Sequence, residues 1–401
     1  MNFSVAGRVS VQGAPLALGL FLPTVYPSSG FFWLPVFALW AANSAKLRFY
    51  REDKLLIGFL LGVVILTLLG AMPQLTGGRP WSPAPFGYLL LPVCVLIGRW
   101  LNAKTVRWLL AFICVEAAIC GIQMAVGQPY VFAGQRESIL NAGVTEWGSS
   151  DLLYFNRTYG LSTNSSVAAQ KFMIGVLLLF EGIVRRHWRV WAMLLLGIGL
   201  YGTFNRTALI SIALFLGLKA TRALLRVSSK RQLLALAVAA GTAIFLAAKW
   251  PELQEQFLRG NLDSSLAQDS GRGSLWAAAA QTISAHPVVG NFSQRFEILE
   301  YGEWYHLHSS WLQVLADHGI VGLLLIAHAV SLVRPHNAAA FLAFAFYSFV
   351  QFGLFGKFSL INIVFYYMMR HRRMRTSRHS SSTERALSPS LGDAEAPISS
   401  A

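Results

Sequence analysis

Apolar residues in this chain neither alternate as in a half-buried strand nor recur every third or fourth position as in a surface helix. They run on for most of a membrane's thickness, broken by short polar or basic stretches. By run length and by the charge of the intervening loops, about twelve runs read as spans. They lie at roughly 11–26, 29–44, 55–73, 86–100, 107–126, 164–184, 189–203, 206–219, 233–249, 317–333, 338–355 and 358–369. The pattern predicts an all-α polytopic membrane protein. The first run lacks a strongly basic start and is followed at once by a second, which predicts a retained span and not a cleaved leader. No internal repeat and no pair of matching interrupted spans is visible, which argues against a secondary transporter.

Two long segments interrupt the spans. One is 127–163, between helices of the first block (residues 1–249). The other is 250–316, which separates that block from the last spans at 317–369. Long connections of this kind are usually functional. In the larger one, KWPELQEQFLRG has a Pro at a first-turn position and predicts a short interfacial helix. SLWAAAAQTISAH places Leu275, Trp276, Ala279 and Ile283 on one helical face, and Pro287 stops it. Ser310 and Gln313 have the spacing of a capping box that starts a further helix, and Gly319 separates that helix from the next span. Residues 370–401 predict a cytoplasmic tail, Ser-rich with Pro and Gly from about 376 and disordered.

Composition agrees with this reading. The chain has 401 residues, 55% hydrophobic and 13% charged, against about a quarter charged in soluble domains. The formal charge of +15 raises the question of a nucleic-acid partner. Its placement answers no, because Lys and Arg cluster in alternate loops: Lys46 to Lys54, Arg99 to Arg107, Arg185 to Arg189, Lys219 to Arg231 and Arg370 to Arg378. The other loops hold most of the acids. This is the positive-inside pattern, and it puts both chain ends in the cytoplasm and the two long segments outside. No nucleic-acid motif accompanies the charge. Cys94, Cys114 and Cys120 all fall within apolar runs and imply neither a disulfide framework nor a metal site.

The candidate chemistry gathers on the acidic side. His308, in HLHSSWLQVLADHGIVGLLL, comes just before a helix start, where the positive end of the helix keeps an imidazole neutral, as a general base must be. The alternative is a surface histidine bonded to its loop. His306 and His308 invite a metal reading, but no third ligand is placed by the sequence. Arg206 occupies a very short turn between two apolar runs; it is either an anion receptor or an arginine snorkelling to the headgroups. Arg272 begins the loop helix, where an anion would be held by both guanidinium and helix dipole; an exposed loop arginine is the alternative. Arg157 and Arg136 are weaker members of the same set. Glu116 lies mid-span, which marks it either as functional or as the buried partner of Lys171 or another base. Asn-x-Ser/Thr triplets at Asn156, Asn164, Asn205 and Asn291 carry no weight.

One neutral base and several arginines beside lipid suit a transfer in which a lipid-borne phosphate or pyrophosphate leaves and a hydroxyl attacks. Three blocks resemble the family of bacterial O-antigen ligases and O-antigen polymerases. YGTFNRTALISIALF resembles its Ser-Arg-Thr turn, with Asn205 where Ser is commoner. GRGSLWAAAAQTISAHPVVGNF resembles its Arg…Leu-Trp…Pro-x-x-Gly loop. LHSSWLQVLADHGIVGLLL resembles its His-Asn…Gly-x-x-Gly signature, with Ser309 where Asn is usual. YFNRTYGLSTNSS resembles its Arg…Gly…Asn segment. The blocks extend from about 155 to 325.

The resemblance implies a GT-C-like glycosyltransferase of the bacterial inner membrane. It would work on the periplasmic side without a metal or cofactor. The donor would be O-antigen on undecaprenyl pyrophosphate. By the match, His308 takes the place of the family's base, and Arg206 and Arg272 those of its pyrophosphate-binding arginines. Within the family, the compact chain favours the ligase that joins O-antigen to lipid A–core. An O-antigen polymerase shares donor and chemistry and is the alternative. A transporter or flippase for the same lipid-linked glycan is the non-enzymatic one, and that class would put its charges near the bilayer midplane.

Overall fold

The computed structural model describes residues 13–25, 50–72, 86–132, 135, 156–225, 248–249, 272–300, 303–351, 353–355 and 358–369. The predicted span at 29–44, nearly all of 233–249, most of the interfacial helix from Lys249 to Gly260, Arg136 and the tail 370–401 lie outside them.

Long apolar runs become helices because only a helix satisfies every backbone group within its own segment. The helices are α1 (Ala14–Phe21), α2 (Asp53–Gly70), α3 (Leu91–Trp100), α4 (Ala103–Val126), α5 (Ser165–Leu179), α6 (Arg186–Thr203), α7 (Arg206–Leu224), α8 (Arg272–Ala285), α9 (Ser310–His318), α10 (Ile320–Ser331), α11 (Ala338–Val350) and α12 (Leu360–Met369). Of these, α2, α4 and α7 are long and apolar enough to cross a membrane, and α1, α3, α5, α10, α11 and α12 are shorter apolar helices. Asparagines cap three of them: Asn102 accepts from Thr105 N at 2.8 Å, Asn164 from Val167 N at 2.9 Å and Asn205 from Ala208 N at 3.0 Å.

The core lies where α4, α5 and α6 meet, with α1 against α4 and with α7 bridging α5 and α11. Small residues let these helices approach, as membrane helices require. A Cβ on Gly199 would lie 2.8 Å from the Phe172 ring and 2.9 Å from Ala117. The opposite faces expose Leu61, Ile65 and Leu68 of α2, Val115 and Ile122 of α4, and Trp188, Trp191 and Leu194 of α6. Apolar stripes of that extent suit lipid and not water.

Ion pairs mark one end of the bundle. Asp53 at the start of α2 pairs with Arg99 at the end of α3, and Glu52 reaches Arg334 beyond α10 at 3.4 Å. Glu116 and Lys171 form a third pair, fully buried, between α4 and α5. Glu116 also accepts from Ser162 Oγ at 2.7 Å and Leu161 N at 3.2 Å, and Lys171 donates to Thr24 Oγ1 at 3.1 Å. The mid-span acid is thus a paired charge that ties the 156–164 segment to the bundle.

Outside the bundle, the residues read as one face of α8 pack together. Leu275 and Ala279 are buried with Leu307 and Ala316, and Trp276 and Ile283 flank them. An antiparallel hairpin follows, β1 (Glu297–Glu300) and β2 (Glu303–His306), pairing Glu297 with His306. The loop after α8 then crosses the α9–α10 junction at two glycines with left-handed backbones, Gly290 and Gly319, both at φ 57°. Asn291 N donates to Ala316 O, Ser293 N to Asp317 O and Ile320 N to Pro287 O, each at 2.8 Å. The Pro-x-x-Gly and Gly-x-x-Gly blocks are the two sides of this backbone crossing.

Candidate active site

His308 stands between β2 and α9 with φ at 51°, a conformation that costs a non-glycine residue energy and persists only where its neighbours dictate it. Here they do. Leu307, one residue before, is fully buried, and its peptide is clamped on both sides. Its N–H donates to Gln313 Oε1 at 3.2 Å, and its carbonyl accepts from Trp276 Nε1 at 3.1 Å. Ser309, one residue after, is the N-cap of α9 and accepts from Leu312 N at 3.4 Å.

The helix therefore starts one residue earlier than the capping-box spacing predicts. Both residues of that expected box have other partners. Ser310 Oγ accepts from Gly353 N at 2.9 Å and Leu354 N at 3.0 Å. Gln313 Nε2 donates to Phe296 O at 2.9 Å and Asp317 Oδ1 at 2.8 Å. The two departures from the family pattern, Asn205 and Ser309, are both helix N-caps, where Ser and Asn interchange at little cost. Asn205 also donates to Ser166 Oγ at 3.2 Å.

His308 opens onto a cavity of about 450 Å³ whose walls include Tyr88, Gln170, Arg295, His306, Asp317 and Tyr347. The rings of His306 and His308 stack with centroids 4.3 Å apart. Burial first, and the Arg272 guanidinium second, push the His308 imidazolium down to about 4. The ring is neutral at physiological pH, as expected from sequence. The cause differs, since desolvation and a neighbouring cation outweigh any effect of the helix end.

The Arg272 charge acts on His308, although Arg272 is not among the residues of the cavity wall. Arg272 is the first residue of α8, whose Trp276 holds Leu307. Arg206 is the first residue of α7; its cap, Asn205, touches Ser166 in the cavity wall. Arg157 sits one residue from Thr158, whose N–H bonds Gly202 O at 2.8 Å, and is not among the residues of the cavity wall. Of the sequence-predicted residues His308 lines the cavity; Arg272, Arg206 and Arg157 are not among its wall residues, Arg272 being near enough for its charge to act on His308 and Arg206 starting α7 beside the Asn205–Ser166 contact.

Two ionisable residues of the wall carry no signal in the sequence, and burial raises the carboxyl of one of them, Asp317, to about 7 against the pull of its hydrogen bonds. Arg295 follows the Gly290 crossing, with Nε 3.2 Å from Glu297. Asp317 is buried and accepts from Tyr88 Oη at 2.9 Å, Phe296 N at 2.7 Å and Gln313 Nε2 at 2.8 Å. A hydrophilic residue two before a glycine is ordinary, and only the fold brings Tyr88 to it.

No curated protein matches the chain. Residues 158–327 match the family model described as O-Antigen ligase. That stretch contains α5 to α9, both glycines of the crossing, Arg206, Arg272, Arg295, His308 and Asp317. The long apolar helices mark a membrane protein, of which residues 158–327 are similar to the family described as O-Antigen ligase.

Proposed function

We propose that the protein is an O-antigen ligase of the bacterial inner membrane, working on the periplasmic side. It transfers a glycan from undecaprenyl pyrophosphate to a hydroxyl of lipid A–core. The reaction breaks the bond between the sugar's anomeric carbon and the pyrophosphate oxygen and forms one to the acceptor oxygen. His308 takes the acceptor's proton, and the pyrophosphate leaves as an anion held by Arg272 and Arg206, with Arg157 and Arg136 as outer members. The route requires no metal. Arginine suits the task because its planar fork grips phosphate oxygens in pairs and stays charged.

The observation that carries the reading is the neutral, strained His308 on the cavity wall within the field of Arg272. A value near 4 makes the free enzyme's imidazole a weak base. An anionic diphosphate bound at Arg272 offsets the cation and raises it. Donor binding would then strengthen the base at the moment it is needed.

Deletion followed by a lipopolysaccharide gel tests the assignment. Loss of a ligase leaves bare core, with finished polymer stranded on its carrier. Core bearing a single repeat would instead identify a polymerase, and an intermediate trapped on the cytoplasmic face would identify a transporter.

A further inference from the structure

Asp317 stands at a junction that the proton transfer does not use. Its Oδ1 accepts from Phe296 N at 2.7 Å and from Gln313 Nε2 at 2.8 Å, and its Oδ2 from Tyr88 Oη at 2.9 Å. Each partner leads to a residue of the cavity wall. Phe296 is the neighbour of Arg295. Gln313 holds the N–H of Leu307, the neighbour of His308, at 3.2 Å. The same Gln313 amide also donates to Phe296 O at 2.9 Å. Tyr88 leads into α3 from 229 residues away in the chain. One carboxylate thus spaces the arginine loop from the histidine loop and pins both to the bundle.

We propose that Asp317 is a positioning residue for the transfer, holding His308 in its strained backbone and Arg295 at a fixed distance from it. A left-handed histidine keeps its place only while the surrounding contacts over-determine it, and the Gln313 link is half of the clamp on Leu307. The inference rests on the reading of His308 as the base. It adds Arg295, Gln313 and Asp317 to the apparatus, none of which touches the proton.

Asp317→Asn and Asp317→Leu separate this role from others. In the Asn variant the carbonyl oxygen still accepts from Phe296 and Gln313, and the Tyr88 hydroxyl turns to accept from the amide. Transfer by purified protein in nanodiscs should stay within about fivefold of the parent (well under the 10²–10⁴-fold worth of a proton-transfer group), with the His308 acid limb in the same place. In the Leu variant kcat should fall by roughly 10²-fold, the loss typical of a misplaced reacting group. The acid limb of kcat/KM should also move up from about 4 toward the ordinary 6.5, because a released His308 loop meets water. Among the described residues, Arg272 from α8, His306 from β2, and Arg295, Asp317, Tyr88 and Tyr347 in the wall are the charged and titratable groups around that ring. Gln313→Met, which leaves Asp317 in place, should move the limb in the same direction and covers the case in which the Leu variant does not fold. The limb is read only over the pH range in which each variant stays monodisperse, so that acid unfolding does not imitate the shift; an acid limb that stays put in both would overturn the proposal. An Asn variant as inactive as the Leu variant would also overturn it, since the charge itself would then be in use. The reading of His308 fails separately, on transfer by a His308→Asn variant.

Discussion

Gly319→Ala is the substitution for which the structure fixes the consequence most closely. Gly319 has φ 57° and ψ −137°, a region essentially confined to glycine, so a side chain there costs about 1–3 kcal/mol before any contact is counted. An added Cβ would lie 2.6 Å from Val288 C and O and 2.7 Å from Gly290 N. All three are backbone atoms, so relief requires the loop after α8 to part from the α9–α10 junction. That would break three hydrogen bonds of 2.8 Å, each worth about 1 kcal/mol net. The total, on the order of 4–6 kcal/mol, is a large share of the roughly 5–15 kcal/mol that holds a typical domain folded. At about 2–4 °C per kcal/mol it lowers the melting midpoint by on the order of ten degrees. The assay is the fraction of detergent-solubilised protein that stays monodisperse after heating. Gly217→Ala is the internal control: nothing lies within 4 Å of its added Cβ, and replacing a helix-interior glycine should leave the midpoint level or raise it slightly. A Gly319→Ala protein as heat-resistant as the parent would refute the crossing as a structural requirement.

Further outcomes follow from the site. Arg272→Lys and Arg206→Lys should each lose transfer by about 10²–10³-fold, the worth of one preorganised donor, because a point charge does not replace a fork; near-normal rates in both would count against the pyrophosphate role. The acid limb of kcat should lie above that of kcat/KM, since bound diphosphate offsets Arg272 only in the complex; coincident limbs would exclude that coupling. Stability should follow the same group. His308 titrates near 4 when folded and 6.5 when unfolded, so its contribution is complete above 6.5 and is lost as pH falls from 6.5 to about 4, a slope that His308→Asn should flatten. Transfer by purified protein should survive EDTA, and inhibition reversed by a divalent ion would revive a metal role for His306 and His308.

Local pattern revealed what local physics controls. Unbroken apolar runs coincide with the apolar helices among the described residues, three of them long enough to cross a membrane, and Leu275, Trp276, Ala279 and Ile283 declared a face that packs as read. His308, Arg272 and Arg206 stood out because charge or an imidazole beside an apolar run needs a reason. The capping box was misread by one residue for a tertiary reason: Ser310 caps nothing because the backbone at Gly353 and Leu354 claims its oxygen. The hairpin ending at His306 was missed, although Tyr301–Gly302 between alternating Glu and apolar or aromatic residues is a turn signal. Asp317 and Arg295 were not legible at all. Their meaning depends on Tyr88 and Phe296, which sequence spacing does not bring near them. Glu116 and Lys171, by contrast, could be paired from sequence because two opposite charges in apolar spans have few other options.

The central claim is that His308 receives the acceptor's proton, and His308→Asn tests it most directly. Asparagine accepts a left-handed backbone readily, so the loop keeps its shape while the base is gone. Purified variant and parent would be compared for transfer of undecaprenyl-pyrophosphate-linked glycan to lipid A–core, with heat resistance measured alongside. We predict unchanged heat resistance and a loss of transfer of at least about 10²-fold, the lower worth of a positioned base. Transfer within a few-fold of the parent by a stably folded variant would contradict the account.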